Sequence, residues 1–74
     1  MPQEKLLNIF NHIRKKKNLS TIENIKPDLL LRDDLEFDSL DLAEITVRIE
    51  DEFGVDIFED GFVVNVGEIL EKIK

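Results

Sequence analysis

In Asp38-Ser39-Leu40-Asp41-Leu42-Ala43-Glu44-Ile45-Thr46-Val47-Arg48-Ile49-Glu50-Asp51-Glu52-Phe53-Gly54, the apolar residues Leu42, Ile45, Ile49 and Phe53 return at helical spacing. Asp38 is of the type that caps a helix start, Asp41 follows three residues on, and Gly54 stands where a left-handed glycine ends a helix. The pattern predicts a helix over about 39–53. A second stripe, Leu40, Ala43 and Val47, runs beside the first, and Asp41, Glu44, Glu50, Asp51 and Glu52 flank both. The first stripe is core. Geometry alone leaves the second open between burial and contact with a partner.

Upstream, Leu6, Leu7, Ile9, Phe10 and Ile13 recur at three- and four-residue steps, with Glu4 early and Arg14-Lys15-Lys16-Lys17 late, predicting an amphipathic helix over roughly 3–16. The basic cluster reads as a cationic end suited to the negative pole of that helix. From Asn18 to Phe37 no period holds, and Lys26-Pro27-Asp28 breaks any helix. Leu19, Ile22, Ile25, Leu29, Leu31 and Leu35 are too many apolar residues for a free linker, so this long loop is expected to lie over the helices. Downstream, Val55-Asp56-Ile57-Phe58 reads as an extended connector, and a short helical turn is expected near Glu59–Phe62. Asn65 is a plausible cap for a last helix with Glu68 as its capping-box partner and Val66, Ile69, Leu70 and Ile73 inward. The reading is all-α: a small bundle of three main helices and one short turn, built from residues 1–74 as a single domain.

Seventy-four residues allow one hydrophobic core. Without cysteine there is neither a disulfide nor a thiolate metal site. The 42% hydrophobic and 36% charged composition suits a folded chain rather than a disordered tail or membrane span. No signal peptide is read at the N-terminus, which gives a cytoplasmic expectation. The net charge of −7 is divided: +4 over Met1 to Lys17, and −11 over Asp28 to Phe62, where thirteen acids face only Arg32 and Arg48. An acidic surface of this kind disfavours nucleic acid and anionic lipid and suits partners with basic patches.

Catalytic groups are few. His12, between Asn11 and Ile13, reads as a surface residue, no cysteine nucleophile exists, and no glycine-rich phosphate loop is present. Asp33-Asp34-Glu36-Asp38 lacks the central glycine and terminal glutamate of a calcium loop, so no metal site is expected. Catalytic residues are therefore not assigned, and the chain is not read as an enzyme.

Ser39 is the exception, a hydroxyl at the first turn of the central helix, directly after a capping aspartate and at the end of a long loop. Asp38-Ser39-Leu40-Asp41, then Glu44, then Ile49-Glu50-Asp51-Glu52-Phe53-Gly54-Val55-Asp56-Ile57, then Val63-Val64-Asn65-Val66 before a last helix, resembles the acyl carrier protein family over nearly the whole chain. The resemblance implies 4′-phosphopantetheine esterified to Ser39 by a separate phosphopantetheinyl transferase. It also implies an acyl chain carried on the arm's thiol for fatty acid or polyketide enzymes. It resolves the second stripe as well: Asp38, Leu40, Asp41, Ala43, Glu44, Val47, Glu50 and Asp51 would meet acyl-transferring and condensing enzymes that present basic docking patches. The protein would be a monomer that binds no nucleic acid and inserts into no membrane.

One departure stands out. The family commonly has glycine three residues before the serine and a small residue next, where this chain has Glu36 and Phe37. Glu36 implies a different turn or a more crowded approach to Ser39. A specialised carrier, including an aminoacyl or peptidyl carrier loaded by an adenylating enzyme, is the alternative, as is an interaction module that is never modified.

Overall fold

The computed structural model describes residues 2–59, 61 and 63–73. Three helices form, α1 (Pro2–Lys16), α2 (Ser39–Phe53) and α3 (Val66–Ile73), in agreement with the sequence reading. At the head of α2 the Asp41 amide donates to Asp38 Oδ1 at 2.9 Å, while the Asp38 amide donates to Asp41 Oδ2 at 3.0 Å. That reciprocal capping box satisfies two of the helix-start donors. Gly54 ends α2 at φ 70°, its amide donating to the Glu50 carbonyl at 2.8 Å.

α1 ends without glycine. Asn18 takes φ 62°, its amide donates to the Lys15 carbonyl at 3.1 Å and the Leu19 amide to the Arg14 carbonyl at 2.9 Å, which is the two-bond closure of a Schellman turn. Asparagine tolerates the left-handed region better than most side chains. At α3, Asn65 Oδ1 accepts from the Glu68 amide at 2.9 Å as expected of a cap. The Glu68 carboxylate, however, accepts from the Val64 amide at 3.2 Å rather than closing a box on Asn65. Beside it runs an antiparallel bridge between Leu30 and Asn65, in which the Leu31 amide donates to the Val64 carbonyl and the Val66 amide to the Leu29 carbonyl, each at 3.0 Å.

The core joins Leu6, Phe10 and Ile13 of α1 to Ile45 and Ile49 of α2 and Val66, Ile69 and Ile73 of α3. Leu42, Phe53, Ile9 and Leu70, also expected inside, are packed against it and partly buried. The loop contributes Leu31, Leu35 and Phe37. Phe37 was not among the expected core residues, yet it is 2% exposed, with its ring 5.5 Å from that of Phe10 and tilted by 55°. Expected near Glu59–Phe62, the short helical turn includes Asp60 and Phe62, which lie outside the described residues; around it the Glu59 amide bonds the Asp56 carbonyl and the Gly61 amide the Phe58 carbonyl, both at 3.2 Å.

The long loop is fastened to α1 by three residues spaced three apart. Asn11 exchanges a pair of hydrogen bonds with the Ile22 backbone, at 2.8 and 2.9 Å. Arg14 Nε donates to the Ser20 carbonyl at 2.8 Å and its Nη1 to the Leu35 carbonyl at 2.7 Å. Lys17 Nζ donates to the Glu36 carbonyl at 2.6 Å. Arg14 does belong to the basic last turn of α1, as the sequence reading has it, but its side chain turns inward and is only 7% exposed. At the far side the Gly67 amide donates to the Pro27 carbonyl at 2.8 Å, and a Cβ on Gly67 would sit 3.1 Å from that oxygen, a tight approach that glycine eases.

Replacing Arg14 by alanine leaves two loop carbonyls without their donors and opens a void, so unfolding stability should fall by about 3 kcal/mol. Arg14→Lys keeps the charge but loses the fork that reaches both carbonyls, and should fall between the two in a urea titration.

Candidate functional site

Ser39 is the first residue of α2 and its side chain is exposed. Its Oγ accepts a hydrogen bond from Arg32 Nη2 at 3.1 Å. No carboxylate or imidazole accepts the Ser39 proton among the described residues. His12, the sole histidine, faces Arg48 Nη2 at 3.0 Å. Arg48 lies nine residues along α2 from Ser39, about 13 Å of helix. Because arginine can only donate, His12 Nε2 is the acceptor there. A serine so placed is a good target and a poor nucleophile.

Beside Ser39 a groove of about 750 Å³ opens between the loop and α2, floored by Leu31, Leu42, Phe58 and Val63 and edged by Arg32 and Ser39. That volume lies within the range of small-ligand sites. Further along its α2 wall, the Thr46 hydroxyl is satisfied by donating to the Leu42 carbonyl at 2.8 Å.

Glu36 takes φ 61°, the left-handed conformation that glycine would favour, at a cost of about 1–2 kcal/mol. Lys17 holding the Glu36 carbonyl helps to impose it. Phe37 packs inward beside Phe10 and does not crowd Ser39.

The second stripe of α2 points outward: Leu40 is 79% exposed and Val47 66%, and Ala43 is exposed as well. Asp38, Glu50 and Asp51 are exposed beside it. Asp41 and Glu44, expected to be open to a partner, are instead half-buried and paired with α1. Asp41 Oδ2 meets Lys17 Nζ at 2.6 Å, and Glu44 meets Lys16 Nζ at 2.7 Å and Arg48 Nε at 3.0 Å. The reason is that α1 brings its last turn alongside the first half of α2, a juxtaposition that charge patterning along the chain does not reveal. Burial pushes the Asp41 carboxyl up, but the Lys17 ammonium and the Asp38 amide outweigh it and hold the group below its ordinary value of 3.8. Hydrogen bonding to Asp41 raises Lys17 above 10.5, and Lys16 and Arg48 lower Glu44.

Among the described residues no cluster of metal-ligating side chains forms, and no helix is long and apolar enough to cross a membrane. Sequence reasoning singled out Ser39 and the outward stripe but missed Arg32 as a neighbour of the hydroxyl. The available signal was that Arg32 is one of two cations among thirteen acids.

The family model described as "Phosphopantetheine attachment site" matches residues 6–71. An acyl carrier protein of Lactobacillus johnsonii is 32% identical over 76 residues, covering 100% of this chain and 95% of the relative. Acyl carrier proteins of two Nitratidesulfovibrio vulgaris strains, DP4 and Miyazaki F, are 47% and 45% identical over 38 residues, 51% of this chain and 50% of each relative. In those matches the chain spans about half the length of the curated relatives. No solved structure matches.

Two outcomes follow from this geometry. Glu36→Gly removes left-handed strain while adding unfolded-state freedom, and should change stability by less than about 1 kcal/mol, whereas the β-branched Glu36→Val should lose about 2 kcal/mol on chemical denaturation. For Lys17→Met the sign is set by the two shifts. The depressed Asp41 pKa contributes stability that is present above 3.8 and is lost as pH falls through the folded value. The raised Lys17 pKa contributes stability that is present below 10.5 and is lost as pH climbs through the folded value. Melting curves of wild type and variant should therefore lie apart near neutrality and converge at both extremes.

Proposed function

The chain belongs to the phosphopantetheine-binding acyl carrier protein family, and we propose that Ser39 is the residue through which it carries its covalently attached 4′-phosphopantetheine. One observation supports this above the others: within the matched span, Ser39 stands exposed at the first turn of α2 on the lip of an apolar groove. Ser20, the other serine, lies in the loop far from any helix start. The group supplies a terminal thiol that holds an acyl chain as a thioester. The chain's own part is to present Oγ, whose proton must be taken by a base of the transferase, since none stands beside it among the described residues. On this reading the protein is a cytoplasmic, monomeric carrier and no enzyme.

The apolar floor of the groove favours an acyl cargo, for fatty acid or polyketide enzymes, over a polar aminoacyl or peptidyl one. Partner enzymes with basic docking patches would meet α2 along Leu40, Ala43 and Val47, with the exposed acids Asp38, Glu50 and Asp51 beside them. Asp41 and Glu44 contribute to that field from within their ion pairs with Lys17 and Lys16.

Incubation with coenzyme A and a broad-specificity phosphopantetheinyl transferase, followed by intact mass, tests the assignment. Wild type should gain one arm and Ser39→Ala none; an arm on Ser39→Ala, or none on wild type, would refute it. Val47→Asp should melt within about 2 °C of wild type, since the site is exposed, yet slow both loading and acyl transfer severalfold.

A further inference from the structure

The environment of Ser39 poses an electrostatic problem if an arm is attached there. A phosphodiester on Oγ would carry a negative charge next to the carboxylates of Asp38 and Asp41, with Asp33 on the same groove. The other cations nearby are already engaged: Lys16 with Glu44, Lys17 with Asp41 and, at 3.9 Å, Asp38, and Arg48 of α2 with Glu44. Arg32 is different. It is exposed, forms no salt bridge among the described residues, and places Nη2 3.1 Å from Ser39 Oγ. Its backbone is fixed from both sides. The Leu31 amide is bonded to Val64, and the Asp34 amide donates to the Leu30 carbonyl at 3.1 Å while Leu30's amide bonds Asp34 Oδ2 at 2.7 Å.

We infer that Arg32 is the positioning residue for the phosphate of the arm, an assignment that rests on Ser39 being the attachment site. When Oγ becomes a phosphoester oxygen it is a poorer acceptor, and the charge passes to the two nonbridging oxygens one bond beyond the phosphorus. The guanidinium already in contact with Oγ transfers its donor to one of them, and its planar fork is suited to both. Because Arg32 and Ser39 share the edge of the groove, the contact turns the first bonds of the arm toward the groove mouth. The attraction is between exposed groups, so it biases the arm without locking it; exposed pairs correspond to roughly a twofold to fivefold preference for the docked arrangement.

The experiment uses the full chain, wild type, Arg32→Gln and Arg32→Lys, each converted to completion with coenzyme A and the transferase and verified by intact mass. Phosphorus NMR then reads the arm directly. In wild type the phosphodiester resonance should be displaced from that of the same arm-bearing chain unfolded in urea and broadened, and both effects should shrink in 0.5 M salt. In Arg32→Gln the displacement should be lost by half or more, and Arg32→Lys should fall between. Identical resonances and linewidths in wild type and Arg32→Gln, with the arm present on both, would overturn the role of Arg32 and leave Ser39 standing as the attachment site. Absence of the mass gain on wild type would overturn both.

Discussion

A buried guanidinium that forms no salt bridge among the described residues holds this fold in place. Arg14 is 7% exposed and directs its donors to the carbonyls of Ser20 and Leu35, residues fifteen positions apart in the loop. Burying a charge is costly unless it is hydrogen-bonded, and burying loop carbonyls is costly unless they find donors; each requirement is met by the other. The segment joining α1 to α2 lacks regular structure over more than twenty residues, so its own turns satisfy only part of its backbone. Asn11, Arg14 and Lys17, one helical step of three apart, do that from the side of α1. The loop's last residues, Leu35 to Asp38, are thereby fixed, and with them the start of α2 and the position of Ser39.

The same constraint redistributes the charge. The sequence divides into a cationic end and a large acidic region, but folding brings the two together: Lys5 lies near Glu52, Lys16 near Glu44 and Lys17 near Asp41. Exposed pairs of this kind contribute little stability each. Their larger effect is on the surface potential, because they neutralise acids on the α1 side of α2 and leave Glu50 and Asp51, with the more exposed Asp38, beside Leu40 and Val47. The face that remains acidic is narrower than the composition suggests, and it is centred on apolar side chains, a combination suited to weak docking steered by charge.

The helices were legible because their information is local. Asp38 with Asp41, Gly54, and the 3.6-residue recurrence of Ile45 and Ile49 all act within a few residues of one another, and the family motif around Ser39 lies in that same window. What was not legible depends on partners far apart in the chain. Phe37 is core only because Phe10 meets it, Arg14 turns inward only because Leu35 returns to it, and Glu68 bonds Val64 beside the bridge between Leu30 and Asn65. Glu36 shows the limit of residue preference as well. Its left-handed backbone runs against its own tendency and is imposed by the Lys17 bond to its carbonyl and by the packing of Phe37 next to it.

These features bear on what a carrier requires of its attachment point. An arm that visits several enzymes must leave the surface easily, while the hydroxyl that bears it must be presented in one orientation. With the arm on Ser39, as proposed, the chain separates the two demands: Ser39 stands where the capping box and the pinned loop meet, and Arg32, which donates to its Oγ, is exposed. A buried arginine in the position of Arg32 would trap a phosphate, and a third acid there would drive it off. An exposed arginine among acids lies between those extremes, holding the arm by an interaction small enough for a docking enzyme with its own basic patch to replace.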